Sequence, residues 1–284
     1  MAGRVRTGIA GWVFEGWRKG AFYPEGLKQK DELAYASKAL TTIEINSTFY
    51  SHQKATSFEA WAAQTPEDFA FPIKGHQLVT HIKRLKDVEL PLANFFASGP
   101  LALGKRLGPF VWQLPPNLKF DAARLEAFLA LLPKTPEALL ALAKKHDEKT
   151  KAPYLDMTGI GKVRHAIEVR HESFADKAFI DMMRANNVAL VVADTAAWPT
   201  LDATADFIYC RLQGAPGSDH YEQADLERWA TRVATWRDGT PMTDGAFVAG
   251  PEENPKPRDV FAHFVSTDKE HAPRNAMALA KRLG

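Results

Sequence analysis

Residues 43–50 read IEINSTFY, a short strand pattern with a carboxylate in it. Successive side chains on a strand point to opposite faces, so Ile43 and Ile45 look one way and Glu44 and Asn46 the other. Burying a carboxylate without a partner costs roughly several kcal/mol. Glu44 therefore needs either a counter-charge or a use, and the rest of the chain decides what shares its face. Strand patterns recur at 5–10, 42–46, 69–74, 109–113, 165–170, 188–194, 206–212 and 259–265. Between them lie helical patterns such as DELAYASKAL (31–40), AARLEAFLALL (122–132), DKAFIDMMRANN (176–187) and ADLERWATRVATWR (224–237). The last, PRNAMALAKRLG (273–284), opens on a proline and closes on a glycine, as helix termini favour. The connection at 195–204 is the weakest helical pattern. Eight βα units in this length predict a single (β/α)8 TIM-type barrel over 1–284, ahead of an open doubly wound sheet. An inserted helix and loop is expected at about 133–164. Pro72 within the third strand removes a ladder hydrogen bond and predicts a bulge.

Composition narrows the classes. The 284 residues are 45% hydrophobic and 25% charged, with 36 basic residues against 34 acidic for a net charge of +2. That balance gives no electrostatic footprint for nucleic acid, which is not expected as a partner. Cys210 is the sole cysteine, so neither an intrachain disulfide nor a cysteine-rich metal cluster can form. No run of about eighteen apolar residues and no signal-like start is present. The expectation is a cytoplasmic protein without membrane contact.

The other strands answer the question that Glu44 raises. Lys74 ends the third strand opposite Phe69, Phe71 and Ile73. Gln113 ends the fourth opposite Phe110 and Trp112. Glu168 and Arg170 repeat the Glu44/Asn46 arrangement on the fifth, opposite Ile167 and Val169. Asp194 ends the sixth in phase with Val192, and Tyr209, Arg211 and Gln213 share a face of the seventh opposite Cys210. In a barrel, inward residues near the carboxyl ends of strands line the active-site mouth. Glu44, Asn46, Lys74, Gln113, Glu168, Arg170, Asp194 and Arg211 are thus expected in one cup. A structural ion-pair network closing the barrel's upper layer is the competing reading, and Glu168–Arg170 fits it best.

These stretches carry a family resemblance. GIAGWVFEGWRKGAFYP (8–24), IEINSTFY (43–50), WAAQTPEDFAFPIKGHQLVTH (61–81), LGPFVWQLPPNLKFD (107–121), HAIEVRHESF (165–174), YCRLQG (209–214) and APRNA (272–276) resemble the domain of unknown function 72 family, the YecE-like proteins. The resemblance covers nearly the whole chain and implies a TIM-type barrel, with no established reaction. Ala10, Gln213, Val265 and Ser266 depart from the residues common in that family, which puts the eighth-strand side of the cup in question.

The cup suits a metal-free enzyme acting on an anionic small molecule, such as a phosphorylated or carboxylated sugar-like compound. Arg211, Arg170 and Lys74 would hold anionic oxygens. Glu44, Glu168 or Asp194 would act as acid or base, and Lys74 would polarise a carbonyl or form a Schiff base. Asn46 and Gln113 would bind substrate. Trp12, Trp17, Tyr23 and Tyr50 would form a stacking rim, unless they are ordinary packing of the first loop. No cofactor is called for. One alternative is a divalent-metal site on Glu44, Glu168 and Asp194, with His81 or His263 adding nitrogens. Another is a nucleic-acid or partner-binding module using HIKRLK (81–86), which otherwise reads as a solvated loop or helix start. His76, His146 and His220 read as surface residues and Cys210 as a buried thiol.

Overall fold

Strand and helix alternate from end to end in the computed structural model, which describes residues 1–195, 198, 200–214, 221–265 and 269–284. The first turns of the chain are β1 (Val5–Ala10), α1 (Glu32–Ala39), β2 (Thr42–Glu44), α2 (Ser47–Tyr50) and α3 (Ala55–Ala63). Next come β3 (Phe71–Lys74), α4 (Glu89–Ala97), β4 (Leu107–Gln113), α5 (Ala122–Leu131) and α6 (Pro136–Ala143). The remainder is β5 (His165–Glu168), α7 (Lys177–Ala185), β6 (Ala189–Ala193), β7 (Phe207–Leu212), α8 (Gln223–Asp238), β8 (Asp259–Phe264) and α9 (Ala272–Leu283). Among the described residues of the weak connection at 195–204 there is no helix. The eight strands form one sheet in the order β2-β1-β8-β7-β6-β5-β4-β3. Ile45, directly after β2, bridges Ile73 of β3 in parallel, so the two ends of that order meet. The result is a nearly closed (β/α)8 barrel, as the eight units require.

By its internal contacts the chain divides into two units, Met1–Ile43 with Glu172–Gly284, and Glu44–His171. In the first unit β7 is buried along its whole length, because parallel strands are covered on both faces. Registers Arg6↔Phe261↔Tyr209 and Gly8↔His263↔Arg211 set the inward columns. Tyr209 stacks on Phe261 and His263 at centroid distances of 6.1 and 5.0 Å. His263 is fully buried and its Nε2 meets Thr42 Oγ1 at 3.1 Å. Gly8 permits the close passage of the β2 backbone, since a Cβ there would lie 1.8 Å from the Thr42 carbonyl oxygen.

The second unit carries β3, β4 and β5. The register shifts between Phe71 and Ile73, the bulge that Pro72 predicts. Phe110, Trp112 and His165 form the face opposite the polar strand ends. They pack against Phe95, Phe96 and Phe128 of α4 and α5 at 4.9–6.5 Å between rings. The segment expected as an insertion holds α6, whose N-cap Thr135 accepts from Ala138 N and whose first residue is Pro136. The loop after it is tied to α4 by Asn94, which donates to Asp147 at 2.9 Å and accepts from Thr150 at 3.0 Å. No helix among the described residues is long and apolar enough to cross a membrane.

His165 lies wholly inside this second core at 2% exposure. Its Nδ1 accepts from the Trp112 indole at 3.1 Å, so the proton sits on Nε2, which donates to the Pro133 carbonyl at 2.7 Å. Burial pushes its pKa down to about 4. A lowered histidine pKa stabilises the fold above the unfolded-state value of about 6.5 and loses that contribution as pH falls. Wild type should therefore lose about 2 kcal/mol more than His165→Gln between pH 7 and pH 5. Urea titrations of both proteins at the two pH values measure this double difference, and a value near zero would mean that His165 charges freely in the native state.

Candidate functional site

In the second unit, Lys74 pairs with Val111, Val111 with Ala166 and Gln113 with Glu168. Strand alternation then places Lys74, Gln113 and Glu168 on one face, opposite the Trp112–His165 core. Gln113 and Glu168 are buried, at 6% and 2% exposure. Ile45 N donates to the Pro72 carbonyl and Lys74 N to the Ile45 carbonyl, at 2.8 and 3.1 Å. That pairing sets Asn46 level with Lys74 and keeps fully buried Glu44 on the Lys74 side.

Asn46 itself differs from the strand expectation. β2 ends at Glu44, and Asn46 takes a helical conformation at the start of α2. Asn, Ser and Thr favour helix starts over strand interiors. Thr48 Oγ1 fixes the turn by contacting both the Ile45 and Lys74 carbonyls, at 3.1 and 2.7 Å. One buried atom, Asn46 Oδ1, has no hydrogen-bond partner among the described residues.

The short helix α2 brings an aromatic side chain under the strand-end lysine. Lys74 Nζ lies 4.6 Å from the Phe49 ring centroid. The same ring meets His81 at 4.9 Å and Tyr50 at 5.0 Å. Tyr50 is 70% exposed, as a rim residue would be. His81 belongs to a π-helical turn, Leu78–Ile82, and its Nδ1 contacts Thr80 Oγ1 at 2.9 Å. Burial lowers its pKa, and the charges of Lys74 and Arg170 push the same way. The imidazole thus stands neutral among cations. The turn is followed by Arg84, Leu85 and Asp87, all at positive φ of 51–68°, in a region that costs roughly 1–3 kcal/mol for a residue with a side chain. Leu85 is buried at 5% exposure and Leu85 N bonds the Val79 carbonyl, so a packed anchor holds the strained turn. HIKRLK therefore starts inside a π turn and is pinned at Leu85, unlike a solvated helix start.

Arg170 donates through Nε to Glu168 Oε1 at 2.9 Å, the pair foreseen as structural. Among the described residues no other hydrogen bond or ion pair of Arg170 is seen, and its side chain is 40% exposed. Asn46, Tyr50, Lys74, Gln113, Glu168 and Arg170 thus line one strand-end region of the second unit, joined by His81 and Phe49. Sequence reading missed Phe49 and the placement of His81, because a π turn leaves no periodicity to read.

Trp12, Asp194 and Arg211 belong to the first unit. Arg211 is buried beside His263 across the β7–β8 ladder. Asp194 does not join it. Val192 pairs with Cys210 and Ala193 with Arg211, so Asp194 continues the Cys210 face and misses the inward column. Its oxygens accept from Gln213 N at 2.8 Å, from Gly214 N at 3.1 Å and from the Tyr221 hydroxyl. Burial raises its pKa, offset by those three bonds. Half-buried Trp12 offers its carbonyl to the Tyr23 hydroxyl at 2.6 Å. Trp17 and Tyr23, at 1% and 0% exposure, pack with Phe14, Phe22 and Tyr35. These aromatics are core of the first loop and form no rim. His76 and His146 are half-buried. Cys210 is buried, and His220 and Ser266 lie outside the described residues. No three His, Cys, Asp or Glu side chains gather as a metal-ligand set among the described residues.

The model of the family described as "Protein of unknown function DUF72" matches residues 6–284. The UPF0759 protein YunF of Bacillus subtilis (strain 168) is 34% identical over 80 residues, a stretch that spans 28% of this chain and 27% of that relative's length. Two solved structures share the fold. A DUF72 family protein of Thermotoga maritima superposes with a TM-score of 0.70 at 24% identity, covering 99% of each chain. One of Enterococcus faecalis gives 0.65 at 17% identity, over 98% of this chain and 95% of that one.

The Asp194 geometry makes it an anchor for the residues after β7. Asp194→Ala should lower the unfolding free energy by about 1–3 kcal/mol, because two part-buried N–H groups lose their acceptor. Tyr221→Phe should cost about 1–2 kcal/mol. Denaturant titration reads both, and losses below about 0.5 kcal/mol, the range of ordinary surface changes, would return Asp194 to the list of acid–base candidates.

Proposed function

The chain belongs to the DUF72 family, and we propose that it is an enzyme acting on an anionic small molecule at the strand ends of its second unit. The observation that carries this reading is the gathering of Lys74, His81 and Arg170 around one strand-end region. Two cationic side chains with a neutral imidazole beside them serve an anion better than they serve a core, which apolar residues would fill. The Nη edge of Arg170 suits bidentate contact with a carboxylate or phosphate, and Lys74 supplies a point charge. Phe49 and Tyr50 offer an apolar wall to the carbon skeleton of a sugar-like ligand. Glu44, buried on the Lys74 side, is positioned for proton transfer. This chemistry calls for no metal ion, since Lys74 and Arg170 already provide the positive charge that a metal would bring.

Calorimetric titration with inorganic phosphate and a hexose 6-phosphate tests the proposal. Saturable binding is expected, and Lys74→Ala and Arg170→Ala should each weaken it by about tenfold or more, the value of a charge-assisted hydrogen bond. Absence of saturable binding to wild type would overturn the reading. Glu44→Gln should keep its melting temperature within about 2 °C of wild type, equivalent to ~1 kcal/mol for a chain of this size. A larger fall would make Glu44 a structural counter-charge instead.

A further inference from the structure

We infer that Asn46 and Gln113 select the ligand of this region by hydrogen-bonding its hydroxyl groups, so that the substrate class is a polyhydroxylated phosphate or carboxylate. The inference rests on the anion-binding reading above and names the substrate class for the same site. Two side-chain amides carry it. Gln113, at the end of β4, is 6% exposed, and its side chain makes no hydrogen bond among the described residues. Two residues earlier on the same face the strand places Val111, which is fully buried, so packing alone is met there by an apolar side chain. Asn46 stands at the N-cap of α2, where an Asn oxygen ordinarily accepts from a helix N–H, yet it makes no such bond. Its Oδ1 is buried without a partner among the described residues. Buried amides are as a rule hydrogen-bonded, because an amide that leaves water and gains no bond is destabilising.

The donor and acceptor inventory decides what such amides recognise. An amide presents one carbonyl acceptor and two N–H donors. An ionised phosphate or carboxylate oxygen only accepts, so it cannot serve Asn46 Oδ1. A hydroxyl does both, donating to an amide oxygen and accepting from an amide N–H. The sheet sets the order of these groups. Asn46 follows β2, Lys74 ends β3, Gln113 ends β4 and Arg170 follows β5, and each strand is paired with the next. At about 4.8 Å per strand, Asn46 and Arg170 stand roughly 14 Å apart between backbones, with Gln113 between them. A ligand anchored at Arg170 by its anionic group therefore runs past Gln113 toward Asn46, and its hydroxyls meet an amide at both points. Asn46 and Gln113 act here as specificity residues and move no proton. A site built to hydrogen-bond a hydroxyl rejects an analogue that lacks it, because its polar groups are then left buried against carbon.

Calorimetric titration of the wild-type protein with sorbitol 6-phosphate, n-hexyl phosphate and inorganic phosphate reads the selection. The first two share chain length and anionic group and differ in their hydroxyls. Sorbitol 6-phosphate is expected to bind about tenfold or more tighter than n-hexyl phosphate. Asn46→Ala and Gln113→Met should each weaken sorbitol 6-phosphate about fivefold or more, while n-hexyl phosphate stays within about twofold of its wild-type affinity. Gln113→Met should also leave the melting temperature of the ligand-free protein unchanged or higher, because the amide gives no bond to the fold. n-Hexyl phosphate binding as tightly as sorbitol 6-phosphate, in protein that binds inorganic phosphate, overturns the hydroxyl selection and leaves the anion site standing. So does a fall of more than about 2 °C in the melting temperature of Gln113→Met, which would mean that Gln113 is bonded within the fold. Failure of inorganic phosphate itself to bind removes the reading on which the inference rests, and the inference with it.

Discussion

Parallel strand pairing in register is the constraint from which the rest follows. Gln113 against Glu168, Lys74 against Val111, and Arg211 against His263 are backbone pairings, yet they decide which side chains meet. A slip of one residue would turn every polar strand end into the Trp112–His165 core and expose that core's aromatics in exchange. The apolar face supplies the driving force that forbids the slip. Phe110, Trp112, Phe95, Phe96 and Phe128 are all fully buried, and each contributes roughly 1.5–3 kcal/mol for an aromatic or large aliphatic side chain removed from water. The polar residues inherit their common direction from this packing and contribute little to it.

Holding charge at the ends of such strands has a cost, and the second unit meets it by several local devices. Glu168 takes Arg170 as partner at 2.9 Å. Lys74 lies over an aromatic ring, where the quadrupole offsets part of the lost hydration. His81 avoids the problem by remaining neutral. The four-residue helix α2 is central here, because Thr48 ties the Ile45 and Lys74 carbonyls together while Phe49 supplies the ring. The strained turn that follows the π-helical segment is held by buried Leu85 and by Arg84, whose Nη2 donates to the Asn117 carbonyl at 2.9 Å.

The same residue types serve plain architecture elsewhere. Asp194 has the look of a catalytic carboxylate in sequence, yet it spends its oxygens on two backbone N–H groups and a tyrosine. Trp17 and Tyr23 lie in a glycine-rich loop that suggests a ligand rim, and they form a buried edge-to-face cluster instead. Glu32, fully buried, is held by Arg18 at 2.6 Å. A carboxylate or an aromatic ring is thus no sign of function until its neighbours are known.

Strand and helix positions were legible in the sequence because they depend on local periodicity. β1 falls on 5–10 as read, β7 and β8 differ from their expected ranges by one residue, and the Pro72 bulge follows from a missing N–H. The polar residues at the ends of β3, β4 and β5 were legible for the same reason, since alternation along a strand is a local rule. The reading failed where it had to continue a face past a strand end or across to another strand. Asn46 turned helical, and Asp194 followed Cys210 instead of Arg211, because inter-strand register assigns that face and no single strand contains it. The meeting of Lys74, Phe49 and His81 was likewise decided only by tertiary structure. It depends on a π turn and on a hydrogen bond from Thr48 to a carbonyl 26 residues away, and contacts between positions so far apart in the chain leave no period in the sequence.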